Sequence, residues 1–247
     1  MIYYKYGTPQ SNLSADDLRK GLREALDKIG EKKKVLVVPP DFTRLPSRAG
    51  ELTEMSWEYY GDKLTDILPA VGTHTPMTDE QISTMFGKTP KDLFRVHDWR
   101  NDVITLGQVP SEFVSEVTEG KVDFTWPTQV NKLLVEGNFD LILSIGQVVP
   151  HEVVGMANYN KNIFVGTGGF EGINKSHYVG AVYGMERMMG RDNTPVRKVF
   201  DYAEENFLHS IPLLYVLTVT TQVEGSTSIN GLFIGRERKV FEEAVAL

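Results

Sequence analysis

The sequence predicts an α/β fold in which a doubly wound, largely parallel sheet carries helices on both faces, as in Rossmann-like proteins. Short apolar runs, typical of strands buried on both faces, alternate with segments whose apolar residues recur at helical spacing. Polar segments containing histidine or glycine directly follow several of these runs. This alternation is typical of parallel sheets, which bind ligands beyond the carboxyl ends of their strands. We therefore expect residues 1–247 to form a single α/β domain.

Capping residues mark two helix starts in the first half of the chain. Ser14 begins a segment that resembles a capping box, and the apolar spacing after it predicts a helix over 15–29. Thr78 begins a second box, before a helix over 79–86. The apolar runs 35–38 and 66–71 predict buried strands. The same reasoning predicts a strand at 2–6, a helix at 49–63 and two short strands within 94–107.

The second half of the chain continues the alternation. A strongly apolar strand is predicted at 141–145, and another at 163–165, directly before a glycine cluster. Residues 122–126 and 129–134 are predicted to pair as a hairpin with its turn near Pro127. The remaining predictions are helices at 111–118, 174–184, 196–207 and 236–246, and strands at 213–220 and 229–234.

Composition excludes several classes of function. The chain has a formal net charge of −7, which argues against a nucleic-acid partner because that would need a basic face. It contains no cysteine, so disulfides, thiolate metal sites and a cysteine nucleophile are excluded. No apolar run approaches the roughly 18 residues that a membrane span requires, and the N-terminus does not resemble a signal peptide. We therefore expect a cytoplasmic protein without a membrane partner.

Four polar clusters follow predicted strands, at residues 41–44, 73–75, 147–151 and 166–169. Since the carboxyl ends of parallel strands share one edge of a sheet, these clusters predict one active site. Arg44 suits a carboxylate or phosphate; the alternative is that Asp41 caps a turn and Arg44 pairs with a surface acid. His74 and His151 suit proton transfer near neutral pH, and together could flank a stereocentre; alternatively, each is an ordinary hydrogen-bonded histidine.

The segment 150–177 offers three further candidates. Lys161 supplies an amine for covalent or phosphate chemistry, although a lysine at a strand start is often only a solvent-exposed group. The glycines at 166, 168 and 169 could cradle a phosphate, but they match neither the G-x-G-x-x-G fingerprint nor a P-loop. His177 can ligate a transition metal, although no second histidine lies nearby in the sequence. His97 and His209 are interpreted as structural.

Several motifs, in order along nearly the whole chain, resemble the N-terminal domain of the nickel-dependent lactate racemase family. They are D-x-T-R-x-P at 41–46, G-T-H at 72–74, G-Q-x-x-P-H at 146–151, the lysine at 161 and the histidine at 177. The resemblance implies a racemase or epimerase of a 2-hydroxy acid, such as lactate. In that reaction the hydroxyl proton is removed while the α-hydride moves to a cofactor, and hydride then returns to either face of a planar 2-keto acid.

The resemblance also implies the cofactor and the role of each residue. The cofactor is a nickel-pincer nucleotide of the pyridinium-3,5-bisthiocarboxylic acid mononucleotide type, made by cofactor-synthesis proteins. Lys161 matches the lysine that is joined to it, and His177 matches the protein ligand to nickel. His74 and His151 match the catalytic histidines, and Arg44 matches the arginine that binds the substrate carboxylate. The other site residues are Gln147 for the substrate, and Gly168 and Gly169 for the cofactor. Asp41 and Thr43 would lie beside Arg44, either near the nucleotide as cofactor-binding residues or supporting Arg44.

The chain departs from the family pattern in two respects. The family commonly carries G-x-x-G-G-x-K where this chain reads G-M-A-N-Y-N-K at 155–161, so the substrate need not be lactate. Family members also carry a C-terminal α/β domain, which we expect to be absent from these 247 residues; such a domain, or a second copy of the chain, is then an expected partner. The alternative functions are a non-catalytic domain that binds a nucleotide or hydroxy acid, and a phosphate-handling enzyme that uses the glycine cluster.

Overall fold

A six-stranded sheet lies at the centre of the protein in the computed structural model, which describes residues 1–223 and 225–247. The strands of the described chain are β1 (Ile2–Gly7), β2 (Val35–Val38), β3 (Leu64–Ile67), β4 (Val103–Val109), β5 (Trp126–Asn131), β6 (Leu141–Val148), β7 (Pro150–His151), β8 (Gly155–Met156), β9 (Leu213–Val223) and β10 (Ser226–Gly235). The central sheet has the order β1-β10-β9-β6-β2-β3. Strands β9, β6, β2 and β3 pair in parallel, whereas β10 pairs antiparallel with both β9 and β1. The predicted largely parallel α/β fold is therefore confirmed.

Helices cover both faces of this sheet. They are α1 (Ala15–Ile29), α2 (Ala49–Tyr60), α3 (Asp79–Phe86), α4 (Ser111–Val117), α5 (Lys132–Glu136), α6 (Phe170–Tyr183), α7 (Met185–Met188), α8 (Pro195–Phe207) and α9 (Arg238–Val245). In β2, Val35 and Val37 pack into the core shared with α1 and α2, whereas Leu36 and Val38 pack into the core shared with α8 and α9. This alternation explains why the strand is apolar at every position.

Capping explains why some boundaries are predictable to the residue. Ser14 accepts a hydrogen bond from the backbone N–H of Asp17, whose carboxylate accepts one from the N–H of Ser14. Thr78 and Gln81 form the same reciprocal pair. These boxes satisfy N–H groups that a helix start otherwise leaves unpaired. The predictions for α1, α3 and both capping boxes are confirmed.

The hairpin predicted around Pro127 is wrong. Residues 126–131 form one strand, β5, which runs through Pro127 and pairs antiparallel with β4 only. A proline is tolerated there because an edge strand does not need every N–H. The following residues turn into α5 because the side chain of Asn131 accepts a hydrogen bond from the N–H of Leu133 at 2.9 Å. Residues 94–107 likewise contribute to one strand, β4, rather than two.

The strand predicted at 163–165 is also wrong. These residues lie in a π-helix, Asn162–Gly166. The side chain of Asn162 donates to the carbonyl of Val38 at 3.1 Å and to the hydroxyl of Ser144 at 3.0 Å, so it ties this helix to the ends of β2 and β6. Periodicity cannot separate a short buried strand from a buried helical turn. Short π-helical segments often occur at functional sites.

None of the helices in the described residues combines the length and apolar character needed to cross a bilayer.

Candidate functional site

A cavity of about 220 Å³ lies at the carboxyl ends of β2, β3 and β6. The turn after β2, the turn after β3, the segment after β6, the π-helix and α6 all contribute to its lining. Eight of the candidate residues from the sequence line it: Asp41, Thr43, Arg44, His74, Gln147, His151, Lys161 and His177. The fold therefore brings together side chains that are far apart in the chain, at the edge of the sheet where ligands of such folds bind.

Asp41 organises the turn after β2. One carboxylate oxygen accepts hydrogen bonds from the backbone N–H of Thr43 at 3.1 Å and from its hydroxyl at 2.5 Å. The other lies 2.5 Å from Nδ1 of His74. Asp41 therefore caps the turn and also orients His74. The guanidinium of Arg44 makes no hydrogen bond or ion pair with any residue in the described part of the chain, so it is free to bind an anion.

Hydrogen bonds from both its backbone and its ring fix the orientation of His74. A tight turn holds the backbone of His74, whose N–H donates to the carbonyl of Val71 at 2.9 Å. In the same turn Gly72 has a φ of +57°, and its N–H donates to the carbonyl of Gly166 at 2.8 Å. Because a carboxylate only accepts hydrogen bonds, the neutral ring carries its proton on Nδ1, towards Asp41. Nε2 then has a free lone pair. This arrangement, an imidazole oriented by a carboxylate, suits a general base.

His151 presents the opposite tautomer. The small β7–β8 hairpin holds it, and Nδ1 accepts a hydrogen bond from the N–H of Val153 at 3.1 Å. The proton of the neutral ring therefore lies on Nε2. Burial, reinforced by the positive charge of Lys161, lowers the pKa of His151 to about 3. His151 is therefore neutral at physiological pH and is a hydrogen-bond donor at Nε2, so the two histidines are not equivalent.

Lys161 lies directly before the π-helix and supplies an amine to the cavity. Its ammonium makes no hydrogen bond or salt bridge within residues 1–223 and 225–247. Burial, followed by the charge of Arg44, lowers the pKa of Lys161 to about 8. A useful fraction of the side chain is then an unprotonated nucleophile near neutral pH.

This pKa leads to a measurable prediction. In competitive labelling with an amine-reactive reagent, modification of Lys161 is expected to rise with pH through a midpoint near 8, well below the value of about 10.4 for an unperturbed lysine. Peptide mass spectrometry over pH 6–11 would follow the reaction. Arg44→Gln removes a neighbouring positive charge and should move the midpoint upwards. A midpoint near 10 in both proteins would contradict the electrostatic account.

His177 presents a nitrogen suited to a metal. It lies within α6, which begins at Phe170 rather than at the predicted residue 174. Its Nδ1 lies 2.7 Å from the carbonyl of Ile173, so Nδ1 donates and Nε2 keeps its lone pair. Metal-binding histidines commonly have such a second hydrogen bond. Within the described residues, no group of three or more His, Cys, Asp or Glu side chains is placed to hold a metal. A metal at His177 would therefore need most of its ligands from elsewhere.

Gly168 and Gly169 do not line the cavity, in contrast to the phosphate-cradle hypothesis. The carbonyl of Gly168 accepts a hydrogen bond from the buried His97 at 3.0 Å. A Cβ at Gly168 would lie 1.8 Å from the carbonyl oxygen of Phe164. Packing therefore explains this glycine. Only Gly166 of the cluster reaches the cavity, and His97 is structural as predicted.

The cavity also contains residues that sequence reasoning did not single out, notably Asn158, Asn162 and Glu152. Asn158 and Tyr159 occupy the positions of the second and third glycines in the G-x-x-G-G-x-K pattern. Both keep a left-handed backbone, with φ of +61° and +57°. Tyr159 turns into the core, whereas Asn158 faces the cavity. Of this pair, only Asn158 changes the lining.

The fold and cavity define an α/β protein whose ligand site is built at the carboxyl ends of parallel strands. The family model described as the lactate racemase N-terminal domain matches residues 18–189, and the chain belongs to this family.

Two solved structures support the same fold. A crystal structure of a protein from Thermotoga maritima superposes with a TM-score of 0.84 at 28% identity, over 95% of this chain and 59% of that one. The lactate racemase apoprotein from Thermoanaerobacterium thermosaccharolyticum superposes with a TM-score of 0.67 at 23% identity, over 96% of this chain and 55% of that one. The chain thus spans little more than half the length of either structure. No curated protein matches it.

Proposed function

We propose that this chain is the cofactor-binding part of a racemase or epimerase for a 2-hydroxy acid, with a nickel-pincer nucleotide held at Lys161 and His177. One observation carries the proposal: one cavity is lined by an amine and a guanidinium that have no partner among the described residues, a carboxylate-oriented imidazole and a metal-competent imidazole. Membership of the lactate racemase N-terminal domain family supports the reaction class.

The side chains in the cavity are compatible with the proposed cofactor. Lys161 has no partner among the described residues and is available for a covalent bond to a carboxyl-derived group. His177 offers one nitrogen to a metal, and the described residues provide no group of three or more metal-binding side chains. That donor set suits a metal whose other ligands belong to an organic group. When bound, the nickel-pincer nucleotide supplies a metal with sulfur and carbon ligands and a centre that accepts and returns hydride.

The protein residues would position the substrate and move its hydroxyl proton. Arg44 binds the substrate carboxylate through its planar fork of N–H donors, and Gln147 offers an amide from the lining of the same cavity. Nε2 of His74 takes the hydroxyl proton, and Asp41 stabilises the resulting imidazolium. Nε2–H of His151 donates a hydrogen bond to the same oxygen as it gains carbonyl character. The planar keto acid is thus held while either face can receive hydride.

The experiment that tests this proposal is co-expression of the chain with cofactor-synthesis proteins in nickel-containing medium. We expect a covalent mass addition located at Lys161, nickel in proportion to the modified chain, and loss of optical rotation from single enantiomers of 2-hydroxy acids. A full-length family member, loaded in parallel, controls for the supply of cofactor. If that control is loaded while this chain gains neither mass nor nickel, the proposal is wrong.

A second candidate is a non-catalytic domain that binds a nucleotide or hydroxy acid. It is favoured by the openness of the site, since the side chain of His74 is 61% exposed and water would reach the reacting atoms. This function requires ligand binding without nickel, and binding that survives the His74→Ala and His151→Ala substitutions. Calorimetry on those variants separates it from the racemase.

A further inference from the structure

Asn158 and Tyr159 are consecutive residues with positive φ. Asparagine adopts this backbone more readily than tyrosine does. Packing accounts for Tyr159, whose ring stacks on Phe241 at 5.2 Å and lies 4.4 Å from the ring of Tyr215. Asn158 is polar, only 6% exposed, and lines the cavity. Its amide therefore needs another explanation.

The hydrogen bonds of Asn158 fix the direction of its side chain. Its Oδ1 accepts from the backbone N–H of Tyr159 at 2.7 Å, and only the oxygen end of the amide can do so. The NH2 group must then lie on the opposite side. The buried Arg197 holds the surrounding loop, because its guanidinium donates to the carbonyls of Met156 at 2.6 Å and Asn158 at 3.3 Å. The amide is consequently held in place rather than free to rotate.

The NH2 group of Asn158 packs against Gly146 and has no acceptor among the described residues. It lies over Gly146, where a Cβ would come within 1.9 Å of Nδ2. In residues 1–223 and 225–247, the Asn158 NH2 makes no hydrogen bond. Among the described residues, Asn158 Nδ2 is not one of the fully buried polar atoms that lack a partner, so it stays accessible and can donate to a ligand oxygen in the cavity.

We propose that Asn158 is a specificity-determining residue that donates a hydrogen bond to an oxygen of the cavity ligand. It favours 2-hydroxy acids with a further hydroxyl beside the reacting carbon, whereas the methyl group of lactate offers the amide no acceptor. This inference rests on the proposed function. Arg44 and Lys161 already supply positive charge for anionic groups, so the neutral amide of Asn158 suits a neutral hydroxyl better than a second anion.

The test measures binding to the unloaded full chain by calorimetry or ligand-detected NMR, so it does not need racemase activity. The substrate probes are lactate and glycerate, each as separate enantiomers. The cofactor probes are nicotinate mononucleotide and nicotinate riboside, which differ by the phosphate. We expect the wild type to bind one glycerate enantiomer about tenfold more tightly than the matching lactate, the preference that one extra hydrogen bond gives, and Asn158→Gly to lose this preference.

The variants are chosen to remain folded. Glycine adopts the left-handed backbone readily, and Asn158→Asp keeps an acceptor for the N–H of Tyr159 while replacing the NH2 donor. Both variants should lose the preference for glycerate over lactate at unchanged thermal stability.

The variants could instead lose only the preference for nicotinate mononucleotide over nicotinate riboside. That result would support the hydrogen bond but place the oxygen on the cofactor phosphate. The proposal is wrong if wild type and Asn158→Gly show the same affinity preference within both probe pairs, or if neither protein binds any of the probes. A glycerate preference in a chain that never racemises would leave this inference standing and refute the proposed function.

Discussion

Lys161→Arg is expected to abolish covalent loading of the cofactor and, with it, all racemisation above that of protein made without cofactor. Arginine keeps the positive charge in the cavity but stays protonated, because its guanidinium pKa is above 12, so it offers no nucleophile. Lysine with a pKa of about 8 exposes a free amine in about one molecule in ten at pH 7. Intact mass, nickel content and optical rotation after co-expression would measure the loss.

Lys63→Arg is the matched control, since Lys63 is exposed and lies outside the cavity. It should load and racemise as the wild type does. A Lys161→Arg protein that gains the same mass as the wild type would show that another residue carries the cofactor, and would remove the main support for the proposed function.

Stability separates a functional lysine from a structural one at this position. Lys161→Met should be at least as stable as the wild type at neutral pH, because burial disfavours the charged amine in the folded state. The lowered pKa of Lys161 also determines how the stability difference between the two proteins changes with pH. Between about pH 8 and 10.5 the unfolded chain still binds a proton that the folded chain has released, so the wild type gains stability relative to Lys161→Met as pH rises. Urea unfolding at several pH values measures this difference.

The fold was predictable where local and tertiary signals agree. Helix α1 follows a capping box at Ser14 and an apolar stripe, and both favour the same boundaries. The π-helix at 162–166 was not predictable, because its conformation depends on hydrogen bonds from Asn162 to β2 and β6, which are distant in sequence. The hairpin turn predicted near Pro127 was wrong for a related reason. Whether a proline interrupts a strand depends on which strands pair with it, and the sequence does not show this.

The cavity was predictable in its location but not in its internal hydrogen bonding. The positions of Arg44, His74 and His151 after strands were enough to predict that they would meet, because the sheet topology brings those ends together. Lys161 was placed in the site by the family resemblance, not by its position relative to a strand. Sequence could not show that Asp41 orients His74, nor that the two histidines present different nitrogens. The glycine pair at 168–169 was assigned to the cofactor as part of a possible phosphate cradle, although close packing against Phe164 accounts for Gly168.

His74→Ala is expected to lower kcat of the loaded protein by about 10²–10⁴-fold, the usual contribution of a positioned general base. KM should change little, because Arg44 rather than His74 would bind the carboxylate. Chiral chromatography of product from each enantiomer measures kcat and KM. A loaded His74→Ala protein with wild-type kcat would exclude His74 as the proton acceptor.

The carboxylate of Asp41 and the imidazole of His74 are expected to act as one catalytic pair. Asp41→Asn keeps an oxygen for the N–H of Thr43 but loses the negative charge beside Nδ1 of His74, so kcat should fall, although less than for His74→Ala. In the double variant the second substitution should cost little further, because Asp41 acts only through the imidazole that has already been removed. Thr43→Val, which removes one hydrogen bond to the carboxylate and leaves its charge, should have a smaller effect than Asp41→Asn. Fully additive losses in the double variant would mean that Asp41 contributes independently of His74, for example by binding the cofactor, and the proposed pair would then be wrong even if each residue is needed.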